Sequence, residues 1–190
     1  NHLSFSDSIF MPLVVPRKVT FLAKSEYFTS PGPKGLLKKL TFIALGQVPV
    51  DRSGGRRSEA ALITGLQVLA EGECLGIYPE GTRSPDAKLY RGRTGIARMV
   101  LEAKVPVIPV AMIDTEKVMP IGSKRPKIQK VGVNVGEPLD FNRFAGMEGE
   151  RAVLRAVTDQ IVYQIHKLSG QEYEDIYAST VRNRMARTGA

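Results

Sequence analysis

Val19-Thr20-Phe21-Leu22-Ala23-Lys24, then Ser30-Pro31-Gly32-Pro33, then Leu36, Leu37, Leu40, Ile43 and Ala44 decide the fold. The first six residues favour β structure and end on a charge, as a strand running from a core to a rim does. The Ser-Pro-Gly-Pro turn opens a helix, the apolar residues behind it recur at helical spacing, and Gly46 stops it before a second short strand over 47–50. The rhythm continues with a helix over 58–70 backed by Gly72, a strand over 75–78, a loop over 79–93, a helix over 94–103 and an apolar strand over 105–112. Strands alternating with helices in this way predict an α/β fold: one domain over 1–190, a mixed, mostly parallel β-sheet covered by helices on both faces. Beyond Ile113 the pattern predicts a loop to about 128, a strand over 130–135, and C-terminal helices within 147–190. The first of these spans about 148–168, with Val153, Val157, Ile161 and Ile165 on one face and Gly170 behind it. In the last, Glu172, Glu174 and Asp175 stand early and Arg182, Arg184 and Arg187 late, an order that complements the helix dipole.

At 190 residues and 43% hydrophobic, the chain is long enough for one sizeable core. Its one cysteine, Cys74, excludes an internal disulfide and, in the apolar run Cys74-Leu75-Gly76-Ile77-Tyr78, reads as a buried strand thiol in a reducing compartment. One Cys and two His make a zinc site improbable. Lysine and arginine outnumber acids 27 to 19, and the net charge of +8 points to an anionic partner: phospholipid headgroups, a phosphorylated substrate or nucleic acid. No apolar run is long enough for a membrane span. The helix over 33–44 has an apolar face flanked by Lys38 and Lys39, which suits either packing on a core or lying on a membrane surface. A nucleic-acid binder lacks support from an RNP-type aromatic motif or a finger's ligands, and 7% aromatics leaves little for base stacking. Gly32-Pro33-Lys34-Gly35 does not satisfy the P-loop pattern, and no G-x-G-x-x-G occurs.

The opening residues, Asn1-His2-Leu3-Ser4-Phe5-Ser6-Asp7, hold one of two histidines and a carboxylate five positions on. Residues five apart on a helix point about 140° away from each other, so His2 lies before a helix with Asp7 in its first turn. Ser4 with Asp7 reads as a capping box. The same residues read as a general base, His2, with Asp7 fixing its tautomer and stabilising the imidazolium. Glu80-Gly81-Thr82-Arg83 follows a strand through Pro79 and forms a tight turn. Gly81 would let the backbone approach a substrate, and exposed N–H groups there would serve an oxyanion; an ordinary strand-exit turn with a surface arginine fits equally. Lys24, Arg52 and Arg83 each end or follow a predicted strand, either converging on one phosphate or standing as ordinary surface cations. No serine or cysteine sits in a G-x-S-x-G context, so nothing marks a covalent acyl-enzyme.

Asn1-His2 with Asp7, Val48-Pro49-Val50-Asp51-Arg52, Tyr78-Pro79-Glu80-Gly81-Thr82-Arg83-Ser84 and Val105-Pro106-Val107-Ile108-Pro109-Val110 together resemble the four ordered blocks of the His-x4-Asp glycerolipid acyltransferases, which include the 1-acyl-sn-glycerol-3-phosphate acyltransferases. The resemblance covers residues 1 to about 112, and the remainder to about 180 is similar to actinobacterial members. It implies a glycerol-3-phosphate acyltransferase-like fold and transfer of a fatty acyl group from acyl-CoA or acyl-carrier protein to the sn-2 hydroxyl of lysophosphatidic acid, giving phosphatidic acid in phospholipid biosynthesis. By resemblance, His2 and Asp7 are catalytic, and Lys24, Arg52, Glu80, Gly81, Thr82 and Arg83 bind substrate. The expectation is a peripheral enzyme on the cytoplasmic face of an anionic membrane, with no cofactor, no metal and no nucleic acid. An acyltransferase for another lyso-lipid is the alternative within the enzyme class, and a basic nucleic-acid-binding protein the alternative outside it. A strand is expected to lead into Asn1, so the reading takes the sequence as incomplete at its N-terminus.

Overall fold

The computed structural model describes residues 1–25, 28–50, 57–120, 123 and 125–188, with the side chains of Lys24, Lys34, Lys38, Arg57 and Ser58 outside that description. In chain order the elements are α1 (Asp7–Val14), β1 (Val19–Lys24), α2 (Gly32–Ala44), β2 (Gln47–Val50), α3 (Arg57–Ala70), β3 (Cys74–Gly76), β4 (Leu89–Tyr90), α4 (Gly95–Ala103), β5 (Val110–Ile113), α5 (Thr115–Val118), β6 (Gly132–Val135), α6 (Arg151–Ser169), β7 (Tyr173–Glu174) and α7 (Ala178–Thr188). The architecture is mixed α/β with a parallel sheet. By contacts the chain divides into two compact units, residues 12–77 and residues 1–11 with 78–190.

In the unit of residues 12–77, β1 lies between β2 and β3, and both pairings are parallel. Parallel neighbours need a crossover, and α2 and α3 provide it, which is why strand and helix alternate in the sequence. Val19, Phe21 and Ala23 alternate into the core. The ring of Phe21 closes over Gly76, where a Cβ would come within 2.4 Å of it. Thr20 is also buried, and its hydroxyl donates to Glu73 Oε2 at 2.8 Å, as a buried polar group must find a partner. Two expectations change here. Cys74 is only half-buried, because β3 is short and lies at the edge of this sheet. On α2, Leu36, Leu37, Leu40 and Ile43 are all exposed, so the amphipathic stripe does not pack on a core.

In the unit of residues 1–11 and 78–190, β5 pairs antiparallel with β6, and α6 packs against both strands and against α4. Val157, Ile161 and Ile165 of α6 and Ile96, Met99 and Val100 of α4 form the buried face, with Ala111 and Met112 of β5 fully enclosed. Burying a side chain of this size is worth about 1.5–3 kcal/mol. Gly170, at φ 65°, closes α6 in the left-handed conformation expected of it. The apolar run after residue 105 forms a ladder only over β5, because Pro106 and Pro109 cannot donate to one; Val107 instead makes an isolated bridge to Leu139. Glu172, Glu174 and Asp175 precede α7 rather than opening it. Glu174 lies in β7, which runs parallel to β4, and Lys88 bonds Glu172 at 2.7 Å and Glu174 at 2.9 Å. Their sequence order therefore reflects a tertiary ion pair, not a helix dipole.

Candidate active site

The segment carrying His2 is held on both sides by backbone bonds. The Asn1 carboxamide acts as a strand partner for β5: its Nδ2 donates to Met112 O at 2.9 Å, and Met112 N–H donates to Asn1 Oδ1 at 2.7 Å. His2 N–H donates to Glu80 Oε1 at 2.9 Å, and Ser84 N–H donates to His2 O at 2.8 Å. The turn over 80–84 thus grips the histidine's own peptide groups.

The imidazole of His2 lies 2.8 Å through Nδ1 from Asp7 Oδ2 and stacks on the ring of Tyr78, with centroids 3.8 Å apart and planes 10° from parallel. Its side chain is 17% exposed, whereas Asp7 is fully buried. Asp7 opens α1 and also accepts from Leu3 N–H at 2.7 Å, Ser4 N–H at 2.9 Å and, on its other oxygen, the hydroxyl of Thr115 at 2.5 Å. Only half of the expected capping box forms. Asp7 bonds the Ser4 N–H, but the Ser4 oxygen accepts from the Ser6 N–H at 3.4 Å rather than from that of Asp7, and its proton goes to Met119 O at 3.1 Å. A buried carboxylate needs such donors, because losing its hydration without them is costly.

An Asp7 carboxylate that accepts on Oδ2 fixes the His2 proton on Nδ1 and leaves the Nε2 lone pair free. Burial pushes the imidazole's pKa below its ordinary value, while the bond to Asp7 opposes that shift. The ring is therefore neutral near neutral pH, the form a base requires. Burial also pushes the Tyr78 hydroxyl up, and that hydroxyl is bonded to Ser8 Oγ at 2.8 Å.

The turn residues divide by role. Glu80 is 1% exposed, and its second oxygen accepts from Tyr90 N–H at 3.2 Å; burial raises its pKa to about 7. It sits behind the histidine and positions it, in place of the direct substrate contact expected. Gly81 adopts φ 74°, which favours glycine, and a Cβ there would come 2.9 Å from Arg93 Cδ, so the arginine's stem would have to shift. Its N–H closes the turn onto Tyr78 O at 3.0 Å and is not open to an oxyanion. The amides of Thr82 and Arg83 have no such partner among the described residues. Thr82 Oγ1 accepts from Arg182 of α7, and Arg83 is half-exposed beside Ser84. Arg52 lies outside the described residues, as does the side chain of Lys24, whose backbone ends β1. Of the three cations expected at one rim, Arg83 alone is placed.

Thr115 and Tyr78 had no assigned role in the sequence, and Arg182 only that of complementing a helix dipole. Tyr78 stands inside the block that flagged Glu80, and its aromatic ring next to a catalytic-type turn was the available signal. Thr115 and Arg182 stand 108 and 100 residues from the groups they touch, and no local pattern joins them.

A histidine–carboxylate pair, with the imidazole neutral and its second nitrogen without a partner among the described residues, is the arrangement a general base requires. The model of the Acyltransferase family matches residues 1–113, more than half of the chain, and the chain belongs to that family. It is 31% identical over 159 residues to the 1-acyl-sn-glycerol-3-phosphate acyltransferase of Bacillus subtilis, covering 83% of this chain and 72% of that one. A chloroplast 1-acyl-sn-glycerol-3-phosphate acyltransferase of Brassica napus is 30% identical over 124 residues, 65% of this chain and 34% of the relative. Among solved structures, the 1-acyl-sn-glycerophosphate acyltransferase PlsC of Thermotoga maritima superposes with a TM-score of 0.62 at 28% identity, over 87% of this chain and 64% of that one. The chain thus spans about two thirds of these two bacterial relatives and about a third of the plant one. Among the described residues, no helix is long and apolar enough to cross a membrane.

Proposed function

We propose that the protein transfers a fatty acyl group from the thioester of acyl-CoA or acyl-carrier protein to the sn-2 hydroxyl of 1-acyl-glycerol-3-phosphate, giving phosphatidic acid. The observation that carries this reading is the His2–Asp7 pair, at 2.8 Å, in a chain of the acyltransferase family. The names of its relatives support the acceptor. His2 Nε2 takes the proton of the acceptor hydroxyl as its oxygen attacks the thioester carbonyl, and Asp7 stabilises the imidazolium. The free amides of Thr82 and Arg83 stabilise the tetrahedral oxyanion. When the C–S bond breaks, the imidazolium returns its proton to the departing thiolate. The step balances without a metal, an organic cofactor or an acyl-enzyme. Arg83 holds the acceptor's phosphate, with Lys24 and Arg52 as the further cations that the family blocks suggest. The enzyme works from the cytoplasmic membrane face, bound peripherally through its basic surface.

Acyl transfer to lysophosphatidic acid, lysophosphatidylcholine and monoacylglycerol, followed by mass spectrometry, tests the reading. Lysophosphatidic acid is expected to have the highest kcat/KM, and His2→Ala to lower kcat by about 10²–10⁴ without unfolding the chain. Wild-type turnover in His2→Ala would overturn the mechanism. A preference for lysophosphatidylcholine would replace the acceptor with another lyso-lipid.

A further inference from the structure

The arginines of the unit that holds the active site fall into two groups. Arg98 pairs with Glu102 at 2.6 Å, Arg155 with Asp159 at 2.5 Å, and Arg91 approaches Asp175 at 3.7 Å. The others have no carboxylate partner among the described residues, and three of these, Arg83, Arg93 and Arg182, belong to or touch one turn. The stem of Arg93 lies across Gly81, its Nη2 donates to Ser179 Oγ at 2.9 Å, and its guanidinium sits 5.1 Å over the ring of Tyr177. Arg182 Nη1 donates to Thr82 Oγ1. Ser179 and Arg182 are three residues apart on α7 and so share a face, and that face meets the turn. Hydroxyl and aromatic partners orient a guanidinium without neutralising it. Each of these two arginines therefore presents a fixed fork with donors to spare, the geometry that matches a phosphate.

We propose that Arg182 and Arg93 form a second wall of the acceptor's phosphate site, so that α7 helps select a phosphomonoester. The inference rests on the acceptor reading given above. The acceptor's phosphate is favoured over a phosphate of the donor by reach. Only a few bonds separate the sn-2 hydroxyl from the phosphate of lysophosphatidic acid, so that phosphate must lie close to the base, beside the turn that bonds the His2 backbone. A phosphate linked through pantetheine stands a long flexible arm away from its thioester. Arg83 supplies one side of such a site, and the two guanidinia across the Gly81-Thr82 backbone supply the other.

The test compares wild type, Arg182→Gln, Arg182→Lys and, as a control with the same charge change on the same helix, Arg187→Gln. Glycerol 3-phosphate binding by NMR titration is read beside kcat and KM for lysophosphatidic acid and monoacylglycerol. Arg182→Gln is expected to weaken glycerol 3-phosphate binding, and to raise KM for lysophosphatidic acid, by about 10- to 100-fold, with kcat changed by no more than about threefold and monoacylglycerol unaffected. Arg182→Lys should recover part of the loss, and Arg187→Gln should match wild type. Unchanged glycerol 3-phosphate binding in Arg182→Gln overturns the inference, as does an equal loss for charged and neutral acceptors, which would make Arg182 a mere brace for the turn. A wild-type enzyme that binds glycerol 3-phosphate through Arg182 yet shows no preference for the phosphomonoester would sink the acceptor reading and leave the arginine site standing.

Discussion

At His2 two opposed influences meet. Burial disfavours the imidazolium, and Asp7 favours it, with burial the larger. For a base that must begin neutral, the sign predicts that the acidic limb of kcat/KM against pH falls below 6.5, the ordinary value for histidine. Replacing Asp7 with Asn removes the influence that raises the pKa, so the limb should move lower still while kcat falls by about 10²-fold or more. A pH–rate series on wild type and Asp7→Asn checks both, and an upward move of the limb in the variant would contradict the coupling. At this scale the pair itself was legible, because a five-residue spacing forces His2 off the helix that Asp7 opens. The direction of Glu80 was not. A carboxylate in a turn next to Gly81 looks solvent-facing on paper, and only the His2 and Tyr90 amides show why it points inward. The Ser4 hydroxyl was only partly legible for a related reason: its oxygen accepts from the nearby Ser6 N–H, but its proton goes to Met119 O, 115 residues away.

Among the elements, the shortest carry more of the site than their length suggests. α5 is four residues long, yet it delivers the Thr115 hydroxyl to Asp7 Oδ1 at 2.5 Å and so holds the carboxylate that bonds His2, the proposed base. Thr115→Val keeps the shape and removes one donor. It should lower kcat by about 10-fold, the equivalent of one lost hydrogen bond of ~1.5 kcal/mol, with acceptor KM little changed and Thr115→Ser near wild type. Steady-state kinetics of the two variants decide it, and full kcat in Thr115→Val would show that the other donors to Asp7 suffice. The longer periodic elements were legible, as was the short β2 between two clear helices: β1, α2, β2, α3, α4 and α6 lie within a few residues of their expected spans. β4, β7 and α5 were not, because two strand residues or four helical ones hold a single period, which cannot establish a recurring pattern. The strand order β2-β1-β3 was not legible either, since local sequence records which strands exist and not which neighbours they choose.

For the molecule as a whole, the open question is how a chain without a membrane-spanning helix among its described residues reaches a lipid substrate. If the protein is peripheral, as proposed, its net charge of +8 would supply a long-range attraction to an anionic leaflet, worth about 1 kcal/mol for each basic residue near the surface. Part of that charge is already engaged within the protein, as Lys18 lies 3.2 Å from Glu73 and Arg17 donates to Gly72 O. The attraction alone would be screened within about 10 Å at 0.1 M salt. On the proposed peripheral reading a short-range contribution would come from α2, where Leu36, Leu37, Leu40 and Ile43 are 58%, 68%, 54% and 52% exposed. An interfacial helix with this apolar stripe and neighbouring lysines gains from both terms, and each responds to a different variable. Vesicle sedimentation should show binding that needs anionic lipid and weakens as salt rises, with a residual bound fraction at high salt. Replacing Leu37 and Leu40 with Ser should remove that residual fraction while leaving the unfolding midpoint near wild type, because neither side chain is buried in the fold. Binding that is equal on neutral and anionic vesicles would reject the electrostatic term, and a residual fraction untouched by the double substitution would reject α2 as the apolar contact.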